Sequence, residues 1–234
     1  MADLDQRLAE IDALIADDPR AALAALDALD GHQDDPEVLL LRAHAQWSIG
    51  ATSDAEELLD ALIADDPGFA DAHYALARLA EELGDEEAMR RHFLTVLALD
   101  AAEERASAPP PEQRARQHQQ IAEVAEEALA RLPAPLRDRL GNVAIVLEDL
   151  PAWEVVATGF DPRALGMFEG PDEHGQRSGE IAVMASRIVL FCANLLATFP
   201  DPDELAEEVE VTVLHEIGHY FGLDEDEVSS LGLE

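Results

Sequence analysis

Two histidines and a glutamate near the end of the chain have the types and spacing of a hydrolytic metal site. His215 and His219 are four residues apart, with Glu216 between them. On an α-helix both imidazoles then lie on one face and reach one ion, which is how an HExxH segment binds zinc. Glu216 is rotated by roughly 100° from His215, which favours a base over a ligand. The segment predicts a zinc site in which Glu216 takes a proton from the water that attacks a peptide carbonyl.

A third metal ligand is expected just after the second histidine. A catalytic zinc ion usually has three protein ligands and a water. The chain continues past His219 as x-x-Gly-x-x-Glu, and Gly222 permits it to fold back toward the metal. This spacing predicts Glu225 as the third ligand. The adjacent Asp224 is an alternative, and Asp226 is a weaker candidate.

The metal-binding segment is predicted to lie on a well-delimited amphipathic helix. Asp201 can cap the helix, Pro202 suits its first position, and Glu204 completes an arrangement like a capping box. Gly222 is expected to end it. The side chains that follow a helical period, and so predict the buried face, are Leu205, Val209, Thr212, Val213 and Ile217.

Short β-branched runs predict strands ahead of this helix. We expect the strand just before the helix to bind substrate by edge pairing. Residues 169–180 are polar and suit a loop, in which His174 is a minor candidate for stabilising an oxyanion. A helix is predicted at about 117–132, and a short helical turn at 194–199. The predicted strands are 142–148, 165–168, 181–184 and 187–191.

The first hundred residues are rich in alanine and leucine, and they repeat with a period of about 34 residues. Gly50 and Gly84 occupy equivalent turn positions, and a shortened unit covers about residues 3–31. This stretch resembles tetratricopeptide repeats, which implies antiparallel helix pairs and a surface for a peptide or protein partner. A plain helical bundle is the alternative. Prolines 109–111 then predict a linker.

Composition limits the partners and the compartment. The formal net charge of −36 excludes nucleic acid and anionic lipid as direct partners, because both are polyanions. Cys192 is the single cysteine, so no disulfide can form within the chain, and a lone thiol in an apolar run suits a reducing compartment. The sequence also carries no secretion signal and no apolar run of membrane-spanning length, so we expect a cytoplasmic protein.

The C-terminal half resembles the minimal zincin-like family of bacterial "possible zinc metallopeptidases". The similar segments occur in order along the chain. They are Leu132-Pro133 at the end of an acidic helix, residues 142–146, which resemble the family's "NVAVVVED" strand, and residues 165–170, which resemble its "LLGLYEG" turn. Residues 187–191 then resemble its "RITLF" strand, and residues 212–222 contain the HExxH segment. The resemblance implies His215 and His219 as zinc ligands and Glu216 as general base. Glu225 departs from it, since Asp is more usual there.

Together these observations predict an α+β protein. An all-α, tetratricopeptide-like region at 1–104 is followed by a Pro-rich linker at 105–116. A minimal zincin-like α+β domain at 117–234 then carries a small mixed sheet and the HExxH helix. The predicted function is a zinc metallopeptidase that hydrolyses a peptide or protein substrate, with the repeats available to a protein partner. The alternative is a non-catalytic zinc-binding interaction module, which an intact Glu216 disfavours.

Overall fold

A computed structural model of the chain describes residues 2–140, 143–170 and 186–223. The chain divides into two compact units. The first comprises Met1–Ala102 and Trp153–Pro162, and the second comprises Glu103–Ala152 and Arg163–Glu234. Among the helices of the described residues, none is both long and apolar enough to cross a membrane.

The first unit is built from consecutive helices that pack on their neighbours. Gly50 and Gly84 have φ values of 80° and 74° in the turns that follow the helices Pro36–Ser48 and Ala70–Leu83, so the predicted turn positions are confirmed. Because both residues have positive φ, glycine is the residue that these turns favour. The helices are α1 (Ala2–Asp17), α2 (Pro19–Asp27), α3 (Pro36–Ser48), α4 (Thr52–Asp65), α5 (Ala70–Leu83) and α6 (Glu86–Ser107, in this unit as far as Ala102).

Alanines permit these helices to approach closely. They alternate in the core with larger leucine and isoleucine side chains, in two clusters of buried apolar residues. A small side chain at a helix crossing allows the two backbones to come near without leaving a void. The helix pairs α3–α4 and α5–α6 therefore form two tetratricopeptide-like units after a shorter pair, α1–α2. In the first unit, the alanines that are at most 2% exposed are Ala22, Ala43, Ala45, Ala55, Ala72, Ala75 and Ala77.

A short segment from later in the chain also belongs to the first unit. The segment holds one helical turn, α9 (Trp153–Val156). Val156 is fully buried. The hydroxyl of Tyr74 donates a hydrogen bond of 2.6 Å to Asp161. The region of the repeats is thus completed by residues that follow the first strand of the second unit.

His73 and His92 face each other in the first unit. Their Nδ1 atoms are 3.0 Å apart, and Nε2 of His73 donates to the carbonyl oxygen of Pro67 at 3.2 Å. Burial, the charge of Arg91 and the neighbouring His73 lower the pKa of His92 from its ordinary 6.5 to about 4. The folded state therefore holds this imidazole neutral.

Within the described residues, the second unit contains a sheet of three strands with helices packed against it. The strand order is β1-β3-β2, in which β3 pairs parallel with β1 and antiparallel with β2. Val189 of β3 lies opposite Val146 on one side and Met167 on the other. The elements are α7 (Pro111–Arg131), α8 (Ala134–Leu140), β1 (Ala144–Glu148), β2 (Gly166–Glu169), β3 (Arg187–Phe191), α10 (Cys192–Thr198) and α11 (Pro202–Tyr220).

Some predicted elements differ from those observed. The expectation that β3, the described strand nearest before the helix with the HExxH segment, offers an edge to substrate is wrong, because β3 is paired on both sides. Helix α7 begins at Pro111 instead of near 117, since a proline is well tolerated in the first turn. Residues 108–110 separate α6 from α7. The domain bounds 1–104 and 117–234 stay a prediction, and the predicted strand 181–184 lies outside the described residues.

Helix α11 packs against α7 and β2 around the main core of the second unit. Val209 and Val213 are fully buried in that core, together with Ile121 of α7 and Ile188 of β3. At Gly166 the sheet comes very close to α11, because a Cβ atom there would lie 2.7 Å from Cγ2 of Thr212. The absence of a side chain at this point of β2 is what lets the helix lie so near the strand.

A methyl group added to the sheet at this point should push the helix away. We expect Gly166→Ala to lower the free energy of unfolding by about 1–3 kcal/mol, the usual cost of overpacking a core. Removing the opposing methyl with Thr212→Ser should restore part of the loss, which urea denaturation of the single and double variants will measure. Equal stability of the wild type and Gly166→Ala would contradict the close approach.

The half-buried His92 should make stability depend on pH in a defined window. Its folded pKa of about 4 lies below its ordinary 6.5, so the unfolded chain binds the proton more readily between these values. The stabilising contribution is therefore complete above about pH 6.5 and is lost as the pH falls toward 4. The free energies of unfolding of the wild type and His92→Gln, taken from denaturation curves at each pH, should converge as the pH is lowered through this range. A difference between them that does not change with pH would show that the pKa is not shifted.

Candidate metal centre

Helix α11 begins and ends where the sequence places it. Oδ1 of Asp201 accepts hydrogen bonds from the backbone N–H groups of Asp203 at 2.9 Å and Glu204 at 3.3 Å, and Pro202 follows the cap. These bonds satisfy donors that would otherwise lack partners in the first turn. The predicted cap is confirmed, and it fixes the start of the helix that carries the metal-binding segment.

The burial of α11 divides the functional segment into two faces. Val213, Ile217 and Tyr220 point into the core, at 0%, 4% and 1% exposure. His215 and His219 are half-buried, and Glu216 is 7% exposed. The histidines thus lie at the margin of the core, where a ligand can reach them, while the carboxylate between them is withdrawn from solvent.

The two imidazoles converge on one point. Nε2 of His215 and Nε2 of His219 are 3.0 Å apart, with the ring centres 4.7 Å apart. Two nitrogens bound to one tetrahedral zinc ion at 2.0–2.1 Å would be about 3.3 Å from each other. A rotation of the rings that separates the nitrogens by a few tenths of an ångström makes the pair a zinc-binding pair. The residues present therefore fit the metal that the motif implies.

A backbone carbonyl sets the tautomer of His219. Its Nδ1 lies 3.2 Å from the carbonyl oxygen of Leu223. A carbonyl oxygen can only accept, so Nδ1 carries the proton and Nε2 keeps its lone pair for a metal ion. Metal-binding histidines usually donate their second N–H in this way, which also fixes the ring orientation.

That carbonyl is placed by the turn that ends the helix. Gly222 has a φ of 80°, as the predicted turn requires. The N–H of Leu223 donates to the carbonyl oxygen of Gly218 at 3.1 Å, and the N–H of Gly222 donates to the backbone carbonyl oxygen of His219 at 2.9 Å. These two bonds form the Schellman arrangement at a helix end. The turn therefore both stops the helix and returns the Leu223 carbonyl to the ring of His219, a partner that sequence reasoning missed although Gly222 signals the turn.

Tyr220 anchors the end of the helix rather than taking part in chemistry. Its hydroxyl donates a hydrogen bond of 2.8 Å to the carbonyl oxygen of Arg139 in α8, and its ring meets the edge of Phe168. The guanidinium of Arg139 lies 4.7 Å from the ring centre of Phe221. These contacts hold the residue next to His219 in place.

Other residues that could bind a metal or act as nucleophiles have structural partners. Nδ1 of His32 lies 2.6 Å from Oδ2 of Asp35, and Nε2 of His118 lies 3.2 Å from Oδ1 of Asp149. Burial raises the pKa of the Cys192 thiol to about 12, so it stays protonated and unreactive at neutral pH. Within the described ranges, no group of three or more His, Cys, Asp or Glu side chains could hold a metal ion.

The proposed third ligands cannot be located in this structure. Glu225, its alternative Asp224 and the weaker candidate Asp226 lie outside the described residues, as does His174. Their assignments remain predictions.

The turn at Gly222 should control the metal site through backbone strain. We expect Gly222→Ala to destabilise the protein by roughly 1 kcal/mol or more, because a residue with a Cβ atom is strained at positive φ. The zinc dissociation constant should rise as the Leu223 carbonyl moves. The matched control is Gly222→Asn, since asparagine tolerates this conformation better. Equal zinc affinity of the wild type, Ala and Asn variants, measured by competition with a chelating dye, would contradict the role of the turn.

Comparison with known families agrees with this geometry. Residues 140–233 match the family described as "Zincin-like metallopeptidase", a range that contains the sheet and α11. Residues 13–79 match the family described as "Tetratricopeptide repeat". No curated protein matches the chain. The C-terminal part of the chain is thus similar to the zincin-like metallopeptidases, and it follows a region that is similar to tetratricopeptide repeats.

Proposed function

We propose that the chain is a zinc-dependent peptidase whose centre is formed by His215, His219 and Glu216. The observation that carries the proposal is the convergence of the two Nε2 atoms, 3.0 Å apart, on the helix that also bears the buried Glu216. The match of this region to the zincin-like metallopeptidases supports it.

The two histidines would hold the zinc ion, with Glu225 as third ligand and Asp224 as its alternative. When bound, the ion supplies a Lewis acid that polarises a carbonyl and makes water a better nucleophile. The chain contributes the orientation of the side chains that would bind the ion. His219 is fixed by the carbonyl of Leu223, and the packing of Tyr220 holds the helix end. A ring held in one orientation presents its lone pair without a cost in rotational freedom.

Glu216 would act as the general base. It is adjacent to His215 and displaced by roughly 100° around the helix, beside the point on which the imidazoles converge. The carboxylate would accept a proton from the attacking water and then give it to the leaving amine nitrogen. Its burial keeps bulk water away from the transferred proton. A purely structural zinc site needs no such carboxylate, which favours an enzyme over a non-catalytic zinc-binding module.

The substrate would be a peptide or protein. Since β3 is paired on both sides, we assign backbone pairing with substrate to β2, an edge strand of the described sheet that packs on α11. The repeats would bind a protein partner. A cytoplasmic location is supported by the lone buried thiol of Cys192, which suits a reducing compartment.

The decisive test of catalysis is the replacement of Glu216 with metal binding intact. A mixed peptide library, with products identified by mass spectrometry, should show cleavage by the zinc-loaded wild type. In Glu216→Gln the rate should fall by about 10²–10⁴-fold, the usual contribution of a general base, with zinc content unchanged. The matched control is Glu207→Gln, which removes an exposed carboxylate from the same helix.

Cleavage that is equal in Glu216→Gln and the wild type would exclude Glu216 as the base. Zinc binding without cleavage by either protein would favour the non-catalytic interaction module.

A further inference from the structure

Two large apolar side chains are exposed at equivalent positions of the repeats. Leu83 is 60% exposed and Ile49 is 38% exposed. Each directly precedes the glycine of positive φ that forms the turn between two paired helices. The two positions are one repeat period, about 34 residues, apart. A turn position open to solvent ordinarily suits a polar residue, so the recurrence of an apolar side chain at this place is not required by the repeat fold.

A hydrogen bond between two nearby residues, Trp47 and Glu82, indicates that Ile49 and Leu83 lie on the same edge of the repeats. Nε1 of Trp47 donates a hydrogen bond of 2.6 Å to a carboxylate oxygen of Glu82. This bond joins the C-terminal ends of α3 and α5. Ile49 is two residues from Trp47, and Leu83 is next to Glu82. We call the surface formed by Trp47, Ile49 and Leu83 the turn-edge patch.

Rigid surroundings hold the turn-edge patch in place. The N–H of Gly50 donates to Trp47 at 2.8 Å, and the N–H of Asp85 donates to Ala80 at 2.8 Å. The helix ends that present Ile49 and Leu83 are therefore closed by backbone hydrogen bonds. A partner would meet a preformed surface and would not have to order it, which favours binding.

The surface around Leu83 is strongly acidic. Two of its carboxylates are engaged by arginines, Glu81 by Arg78 at 2.7 Å and Glu86 by Arg90 at 3.0 Å. The acidic residues outnumber these two arginines, so the surface carries net negative charge. The residues of this stretch that are acidic and exposed are Glu81, Glu82, Asp85, Glu86 and Glu87.

This combination selects one kind of partner. An exposed apolar pair is stabilised by covering it with apolar side chains, and an acidic rim attracts cations while repelling anions. A nucleic acid is excluded by its charge, and a second copy of this chain would bring another acidic turn against the first. What fits is a protein segment with apolar residues flanked by arginine or lysine.

We propose that the turn-edge patch is a docking site for a cationic, apolar protein segment. The inference does not rest on the proposed peptidase activity, because every residue that carries it lies in the first unit. It assigns the partner to the edge formed by the helix turns, and it states the chemistry by which that partner is recognised.

The test uses the full chain as bait for a phage-displayed library of random peptides. We expect enrichment of peptides that combine leucine, isoleucine or phenylalanine with arginine or lysine. Synthetic peptides of the enriched sequences should bind the Ile49→Ser/Leu83→Ser double variant at least about tenfold more weakly than the wild type, by fluorescence anisotropy. Leu83→Ser alone should show an intermediate loss.

The matched control is Trp153→Ser. Trp153 is 54% exposed, so this variant removes a comparable apolar surface of the first unit outside the turn-edge patch. It should bind the peptides like the wild type. Circular dichroism will verify that the variants keep their helical content, as expected for exposed positions. The proposal is overturned if no peptide is enriched, if enriched peptides lack basic residues, or if the double variant binds them as tightly as the wild type.

Discussion

The helical period of α11 is the constraint on which the metal centre depends. Val209, Val213 and Ile217 recur every four residues and bury one face of the helix. His215 and His219 recur at the same interval, displaced by two positions or about 200° around the helix, so their rings lie together outside that face. Any packing that buries the three apolar residues therefore also orients both imidazoles. Core packing and the convergence of the two imidazoles are two consequences of one periodicity.

The end of the helix adds a second constraint, because one turn serves both the backbone and the site. The glycine at 222 closes the helix through two backbone hydrogen bonds and returns the carbonyl of Leu223 to the ring of His219. Tyr220 ties the same turn to α8 by its hydroxyl. The histidine orientation is thus maintained by ordinary elements of fold stability, and changes that weaken the helix end will also weaken the site.

Features that depend on neighbouring residues were predictable from the sequence, and features that depend on distant pairing were not. The cap at Asp201, the turn at Gly222 and the glycine turns of the repeats follow from local conformational preferences, and all were predicted. The central position of β3 was not, because strand order is set by pairing between segments far apart in the chain. The inclusion of Trp153–Pro162 in the first unit is also a long-range effect. The pairing of Trp47 with Glu82 escaped prediction for the same reason.

The central claim is that His215 and His219 bind one zinc ion, and metal analysis tests it most directly. Zinc content per chain would be measured by mass spectrometry on wild-type protein, on His215→Ala and on His32→Ala, a control whose histidine pairs with Asp35 in the repeats. We predict about one zinc ion per chain in the wild type and the control, and loss of zinc in His215→Ala. A wild type that binds no zinc even when zinc is supplied, or a His215→Ala variant that retains it, would contradict zinc binding by these histidines.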